Sequence, residues 1–167
     1  MSVRVDEITE GEVMVFTGPG KGKTTAALGV ACRIIAHGGK VVFVYFTGPQ
    51  RPSWGEVKAA ATFGGNWRMI GIDSEAEEIS FPGDFTETAN TVGEALTKAQ
   101  KLWLHECDLL VLDDISHHLE RGEIDTAQVL ALIDGRPPDT SIILTGQSVP
   151  EPIIQRAGLV TEFRKIK

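Results

Sequence analysis

Residues 13–25 read Val13-Met14-Val15-Phe16-Thr17-Gly18-Pro19-Gly20-Lys21-Gly22-Lys23-Thr24-Thr25: an apolar run, a turn with three glycines, and the start of a helical pattern. Strand, glycine turn and helix in that order is the context of a phosphate-binding loop (P-loop). Glycines let the backbone fold tightly enough to aim several N–H groups at one anion. The helix N-terminus adds its partial positive charge at the same place. In such a loop Lys23 would supply a point charge for phosphate oxygens, and the Thr24 hydroxyl can ligate magnesium. The loop departs from the usual G-x-x-x-x-G-K-[ST] pattern once, because its first glycine position is Thr17. The candidate nucleotide-binding residues are Thr17, Gly18, Pro19, Gly20, Lys21, Gly22, Lys23, Thr24 and Thr25. The competing reading is a glycine-rich turn without a ligand.

Around the loop, strand and helix patterns alternate. Apolar runs at Val13–Thr17, Val41–Phe46, Trp67–Ile72, Leu109–Asp113, Ser141–Thr145 and Leu159–Phe163 predict six strands. Several are continuous rather than alternating, as in strands covered on both faces. Thr24–His37 predicts a helix with Ala27, Leu28, Ala31, Ile34 and Ile35 on one stripe and Gly38-Gly39 at its end. A second helix is expected from Asp84, with Glu87 completing a capping box, to about Glu106, with Val92, Leu96, Ala99, Leu102 and Trp103 inward. A third starts at Asp125 with Gln128 in the same relation, and a short fourth follows Ser148 with Pro150 in its first turn. The expected fold is α/β: a mainly parallel sheet with helices on both faces, of the P-loop NTPase (RecA-like) kind, as one domain over residues 1–167. Thr47–Phe63, rich in Gly and Pro, reads as a loop over the C-terminal edge of the sheet, where ligands bind in such folds.

The partner of a phosphate loop is a strand ending in a carboxylate. Leu109-Leu110-Val111-Leu112-Asp113-Asp114 fits, with one acid for the metal and the other free to cap the turn. Metal candidates are therefore Thr24, Asp113 and Asp114. Lys23, Thr24 and Asp114 are the catalytic candidates. His117 and His118 follow without other metal-ligand spacing and read as solvated or hydrogen-bonded structural residues. Trp67 and Trp103 read as core, and Trp54 as either packing or pocket lining. The acidic run Asp73–Glu78 reads as a solvated loop or lid.

Composition bounds the rest. The chain has 167 residues, 42% hydrophobic and 23% charged, a globular profile. Lys+Arg number 16 against 23 Asp+Glu, a net charge of −7. That balance argues against nucleic acid or an anionic membrane as partner. No apolar run approaches a membrane span. Met1–Glu7 carries acids early and no apolar signal region, so a cytoplasmic protein is expected. Cys32 and Cys107, both in apolar helical stretches, read as reduced thiols.

Over nearly its whole length the chain resembles the P-loop type of ATP:corrinoid adenosyltransferase, also called cob(I)alamin adenosyltransferase. TGPGKGKTTAALGVA (Thr17–Ala31) is similar to that family's loop, threonine at the first Walker position included. So are HGGKVVFVYF (His37–Phe46), Trp54-Gly55-Glu56, LLVLDDI (Leu109–Ile115), Arg136-Pro137, ILTG (Ile143–Gly146) and LVTEFR (Leu159–Arg164). The resemblance implies that a cobalt(I) corrinoid attacks the 5′ carbon of ATP and displaces triphosphate. It implies ATP lying reversed in the loop, Mg²⁺, cob(I)alamin or a related corrinoid as substrate, a reductase supplying electrons to cobalt, and a homodimer. Lys23, the metal, the loop amides and Lys21 would neutralise the leaving triphosphate.

The chain also departs from the family pattern. Asp114 replaces a glutamate, Thr47 stands where a lysine is frequent, and Gln147 replaces an arginine. Phe81 and Phe85 are the aromatics nearest the position used against cobalt's lower ligand, and the family's K-H-(P/A)-F stretch does not follow Arg164. These departures leave two alternatives beside the transferase: a divergent P-loop ATPase or kinase, and a carrier that binds ATP or adenosylcobalamin without catalysis.

Overall fold

The computed structural model describes residues 10–46, 55, 62, 64–72, 86–103 and 107–167. Within these residues seven strands form one sheet: β1 (Val13–Thr17), β2 (Val41–Tyr45), β3 (Trp67–Ile72), β4 (Thr86–Ala89), β5 (Leu109–Asp113), β6 (Ser141–Thr145) and β7 (Leu159–Glu162). Their order is β4-β3-β2-β5-β6-β1-β7, and every pairing is parallel. The described helices are α1 (Lys23–Ala36), α2 (Val92–Trp103), α3 (Ser116–Glu120), α4 (Thr126–Asp134) and α5 (Glu151–Ile154).

Period two divides each buried strand between two apolar layers. Leu109 and Val111 of β5 join Val41, Phe43, Tyr45, Trp67, Met69 and Ile143 on the face covered by α1. Ala27 and Ala31, with almost no side chain, let α1 lie close to that face, and Leu28, Ile34 and Ile35 seal its flanks. Phe43 stacks on Tyr45 and on Trp67, with ring centroids 4.4 and 5.6 Å apart. Leu110 and Leu112 point the other way, with Val42, Val44, Ile70, Ile142 and Leu144, against α2, α4 and α5. Each large side chain so buried contributes roughly 1.5–3 kcal/mol, and helices on both faces explain why the central strands β2 and β5 are buried along their whole length.

The expected strands are present within a residue of their predicted ends. α1 ends as the sequence indicates: Gly38 adopts φ 85°, its N–H reaching the Ile35 carbonyl and that of Gly39 the Ile34 carbonyl. The capping box of Asp125 and Gln128 forms at the start of α4. Trp67 and Trp103 are core residues. Cys32 and Cys107 are free thiols; burial pushes the Cys107 thiol up to about 11, and it donates to the Leu109 carbonyl.

The expected helix from Asp84 is the main correction. Residues 86–89 form edge strand β4, and the helix begins only at Val92. The cap is Thr91, whose hydroxyl accepts the Glu94 N–H at 3.1 Å, while the Glu94 carboxylate accepts the Asn90 N–H at 2.8 Å. Thr91-x-x-Glu94 fits the capping template as well as Asp84-x-x-Glu87 does. The choice is made by pairing with β3, which the template does not see. That backbone bond, with Lys98 one turn on, holds the Glu94 carboxyl below its ordinary value. The short helix α3 has no counterpart among the expected elements. Trp54, Asp73–Glu78, Phe81 and Phe85 lie outside the described residues, as does the Thr47–Phe63 segment apart from Gly55 and Thr62.

Candidate functional site: a phosphate loop at the C-terminal edge of the sheet

β1, β5 and β6 end side by side at Thr17, Asp113 and Thr145. Period two puts Asp113 and Thr145 on the same face as Leu109, Val111 and Ile143, the face covered by α1. The first turn of α1 carries Thr24, so three polar side chains converge. Asp113 is fully buried, and its Oδ1 accepts the Thr24 hydroxyl at 2.9 Å and the Thr145 hydroxyl at 2.8 Å. The Thr145 oxygen in turn accepts the Asp114 backbone N–H at 2.8 Å. This chain fixes the direction of each hydroxyl proton and makes Asp113 the anchor of the site.

Asp114 differs in every respect. It is half-exposed and adopts φ 62°, a left-handed conformation that costs most residues about 1 kcal/mol and that Asp tolerates better. The turn aims it at an open pocket of about 410 Å³, lined by the loop from Pro19 to Thr25 and by Asp114, Thr145 and Gln147. The two adjacent acids therefore divide the work: Asp113 orients hydroxyls from below, and Asp114 faces the space a ligand would enter.

Within the loop, Pro19, Gly20, Lys21, Gly22, Lys23, Thr24 and Thr25 line the pocket, whereas Thr17 and Gly18 lie outside its lining. The Thr17 hydroxyl donates to the Gln147 carbonyl at 3.3 Å, and the Gly18 N–H reaches the same carbonyl at 3.1 Å. Threonine at the first Walker position thus ties the loop to the chain leaving β6. The Lys23 ammonium donates to the Gly18 and Gly20 carbonyls, both at 2.7 Å. It is held at the loop's rim, one positive charge beside the helix N-terminus. Gly22 adopts φ 110°, which a side chain would strain, and its carbonyl accepts the Ala26 N–H that starts the helix.

Gly18 and Gly20 do more than let the loop turn tightly. A Cβ on Gly18 would lie 2.5 Å from the Phe163 carbonyl oxygen, and one on Gly20 2.6 Å from the Phe163 carbonyl carbon. These glycines also provide clearance for the chain leaving β7. Gly146 does the same for α3, since a Cβ there would meet the Ser116 side chain at 2.4 Å. The Ser116 hydroxyl accepts the Gln147 N–H at 3.0 Å. Thr145, which lines the pocket, and Ser116, which holds the Gln147 N–H, are neighbours of the candidate site that sequence reasoning does not single out. The Thr-Gly pair closing the ILTG stretch is the available signal.

His117 is exposed. His118 bridges the Phe46 carbonyl (2.6 Å from Nε2) and the Glu123 carboxylate (2.5 Å from Nδ1). The expected hydrogen-bonded structural role therefore holds for His118, which pins the end of β2. Its bond keeps the Glu123 carboxyl below the ordinary range, with Arg121 assisting. Arg136 lies at the far end of the sheet, donating to the Gly11 and Ile133 carbonyls. Thr24 and the Asp114 carboxylate are hard oxygen donors lining the pocket, with the buried Asp113 carboxylate behind Thr24, a set that suits Mg²⁺.

The family model described as ATP:corrinoid adenosyltransferase BtuR/CobO/CobP matches residues 9–167. Corrinoid adenosyltransferase CobA of Salmonella typhimurium (strain LT2) is 31% identical over 166 residues, covering 94% of this chain and 78% of that protein. Corrinoid adenosyltransferase of Escherichia coli (strain K12) is 28% identical over 165 residues, with the same coverage. A corrinoid adenosyltransferase from Sinorhizobium sp is 31% identical over 177 residues, covering all of this chain and 77% of its own.

Proposed function

The chain belongs to the ATP:corrinoid adenosyltransferase family, and we propose how the phosphate loop just described serves that reaction. The protein is an enzyme that transfers the adenosyl group of ATP to a corrinoid. The relatives do not favour the ATPase or the carrier alternative. The observation that carries the residue assignment is the convergence of Lys23, Thr24 and Asp114 on one open pocket at the strand ends, with buried Asp113 behind Thr24.

In the proposed reaction the cobalt(I) corrinoid donates an electron pair to the 5′ carbon of ATP. The cobalt–carbon bond forms as the carbon–oxygen bond to triphosphate breaks, and cobalt ends as cobalt(III). The nucleophile arrives with the substrate, so the protein's work is to hold ATP and receive charge. The amides of Lys21 to Thr25, which have no acceptor among the described residues, would take triphosphate oxygens with the positive end of α1. Lys23 would exchange the two loop carbonyls for phosphate oxygens as charge develops on the leaving group. Thr17 and Gly18 would keep the loop in shape. Thr24 and Asp114 would hold Mg²⁺, with Asp113 orienting Thr24, and the ion when bound supplies further neutralisation of triphosphate.

We further propose a single domain over residues 1–167 that works in the cytoplasm as a homodimer, on cob(I)alamin or a related corrinoid whose cobalt receives electrons from a reductase. Free Cys32 and Cys107 are in keeping with a reducing compartment. Among the described residues no helix is long and apolar enough to cross a membrane. The deciding assay incubates the protein with MgATP and chemically reduced cobalamin under strict anaerobiosis. Phosphorus NMR should show intact triphosphate rising in step with the absorbance of adenosylcobalamin. Accumulation of ADP and phosphate, with no cobalt–carbon product, would establish the ATPase instead.

A further inference from the structure

β7 is the last of the seven strands, at the edge of the sheet, and all four of its residues are exposed. An edge strand of this kind has little packing to hold it. Yet the residue that follows, Phe163, grips the phosphate loop at several points. Its N–H donates to the Thr17 carbonyl at 2.7 Å, and its carbonyl accepts the Gly20 N–H at 2.7 Å. Its ring lies 5.9 Å from that of Phe16 and passes beneath Gly22, whose absent Cβ would sit 3.6 Å from it. The bare Gly18 and Gly20 are what let the Phe163 backbone approach so closely.

These contacts select which loop amides remain for a ligand. The Gly18 N–H is taken by Gln147 and the Gly20 N–H by Phe163. With both anchored, the amides from Lys21 to Thr25 are presented as one run around the turn at Gly22. If Phe163 were undocked, the Gly20 amide would lose its acceptor and the loop would lose its brace on the β7 side. The next charges are already balanced: Arg164 donates to Glu162 at 2.6 Å, and the Glu162 Cγ lies 3.0 Å from where a Gly18 Cβ would be.

We infer that Phe163 is a positioning residue for triphosphate, acting through the Gly20 amide and the Gly22 turn rather than by touching the ligand. The inference rests on the phosphate-loop reading above. It makes docking of the C-terminal strand and binding of the polyphosphate mutually reinforcing, since each favours the same loop shape.

The probe is inorganic tripolyphosphate, measured by calorimetry, alongside steady-state kinetics with ATP. Phe163→Ala should weaken tripolyphosphate binding about tenfold and raise KM for ATP similarly, with kcat at saturating ATP within about twofold, as for a loss of uniform binding. Phe163→Tyr, which keeps the ring, should return both to near wild type. Leu159→Ala, at the other end of β7, should leave both unchanged. Wild-type affinity in a folded Phe163→Ala, or equal losses in the Ala and Tyr variants, overturns the inference. Should Phe163→Ala fail to fold, hydrogen exchange on the wild type decides: tripolyphosphate should slow exchange of the Gly20 and Phe163 amides, and unchanged rates overturn it. Failure of the wild type to bind ATP or tripolyphosphate at all is a different result, and removes the phosphate-loop reading itself.

Discussion

The two ends of the sheet use similar polar residues in opposite ways. At the N-terminal end, side chains bond to backbone. Thr140 donates to the Cys107 carbonyl at 2.7 Å, Asp108 accepts the Lys40 N–H at 2.7 Å, and Arg136 donates to Gly11 at 3.0 Å. Each closes a strand end that would otherwise carry an unsatisfied group. At the C-terminal end, the bonds around Asp113 join side chain to side chain: Thr24 and Thr145 donate to it, with Asp114 turned toward the pocket. A threonine that satisfies backbone can be replaced at a cost in stability alone. On the proposed assignment, replacing a threonine bonded to the Asp113 carboxylate beside the open pocket should cost activity instead. The distinction lies in what the hydroxyl touches, not in burial, since Thr140 and Thr145 are both buried.

The comparison can be broken at the C-terminal end first. Lys23→Ala should lower kcat/KM for ATP by about a hundredfold, the scale of losing a charged group that stabilises a developing anion. Its melting temperature should stay near wild type. A melting point that falls with activity would mean that Lys23 is there to brace the Gly18 and Gly20 carbonyls. Next, Asp113→Asn should raise the magnesium concentration needed for half-maximal activity by tens-fold, because it disturbs Thr24 and Thr145 together. Asp114→Asn, which still tolerates a left-handed backbone, should raise it less. The reverse order in a magnesium titration would transfer the anchoring role to Asp114.

At the N-terminal end, Thr140→Val should cost about 1 kcal/mol of stability by leaving the buried Cys107 carbonyl unsatisfied. KM for ATP should not change. A shifted KM in that variant would show that the ends of the sheet are not independent. The smallest effect concerns His118, which does backbone-closing work at the C-terminal end by holding the Phe46 carbonyl. Its partner Glu123 has its carboxyl held below the ordinary value of 4.5. The folded value is depressed, so this contact stabilises the protein above the ordinary value and is lost as pH falls through the folded one. Melting temperature followed from about pH 5 to about pH 3 should therefore fall slightly less steeply in Glu123→Gln than in wild type. Identical slopes would discount the pair.

Much of this is legible in the sequence because it is local. The strand–loop–helix of residues 13–36, the capping box at Asp125 and the acid pair after Leu112 are each set within a few residues. What is not legible depends on distant chain. Asp113 and Asp114 are the same residue type, and only the register that places Thr145 beside Asp113 separates an anchor from a pocket-facing acid. Gly18 and Gly20 read as residues that let the loop fold tightly, but their close neighbour is Phe163, far along the chain. β4 escapes a sequence reading because a helix-like cap template, Asp84-x-x-Glu87, runs into it, and its strand identity comes only from β3. The transferase reading comes from family resemblance rather than from local physics, which goes no further than a nucleotide site.

β1 has its neighbours at the opposite end of the chain: it lies between β6 and β7, and Thr17 bonds to Gln147 across 130 residues of sequence. During synthesis, then, the strand that carries the phosphate loop emerges early and waits. At about 5–20 residues per second, it spends many seconds without either of the strands that flank it, while β2, β3 and β5 can already pair. Contacts closed over so long a span also make for slow folding. The candidate site is consequently among the last parts of this protein to come into being, and a nascent chain that has not yet released β6 and β7 has the loop's sequence but not the contacts that shape it.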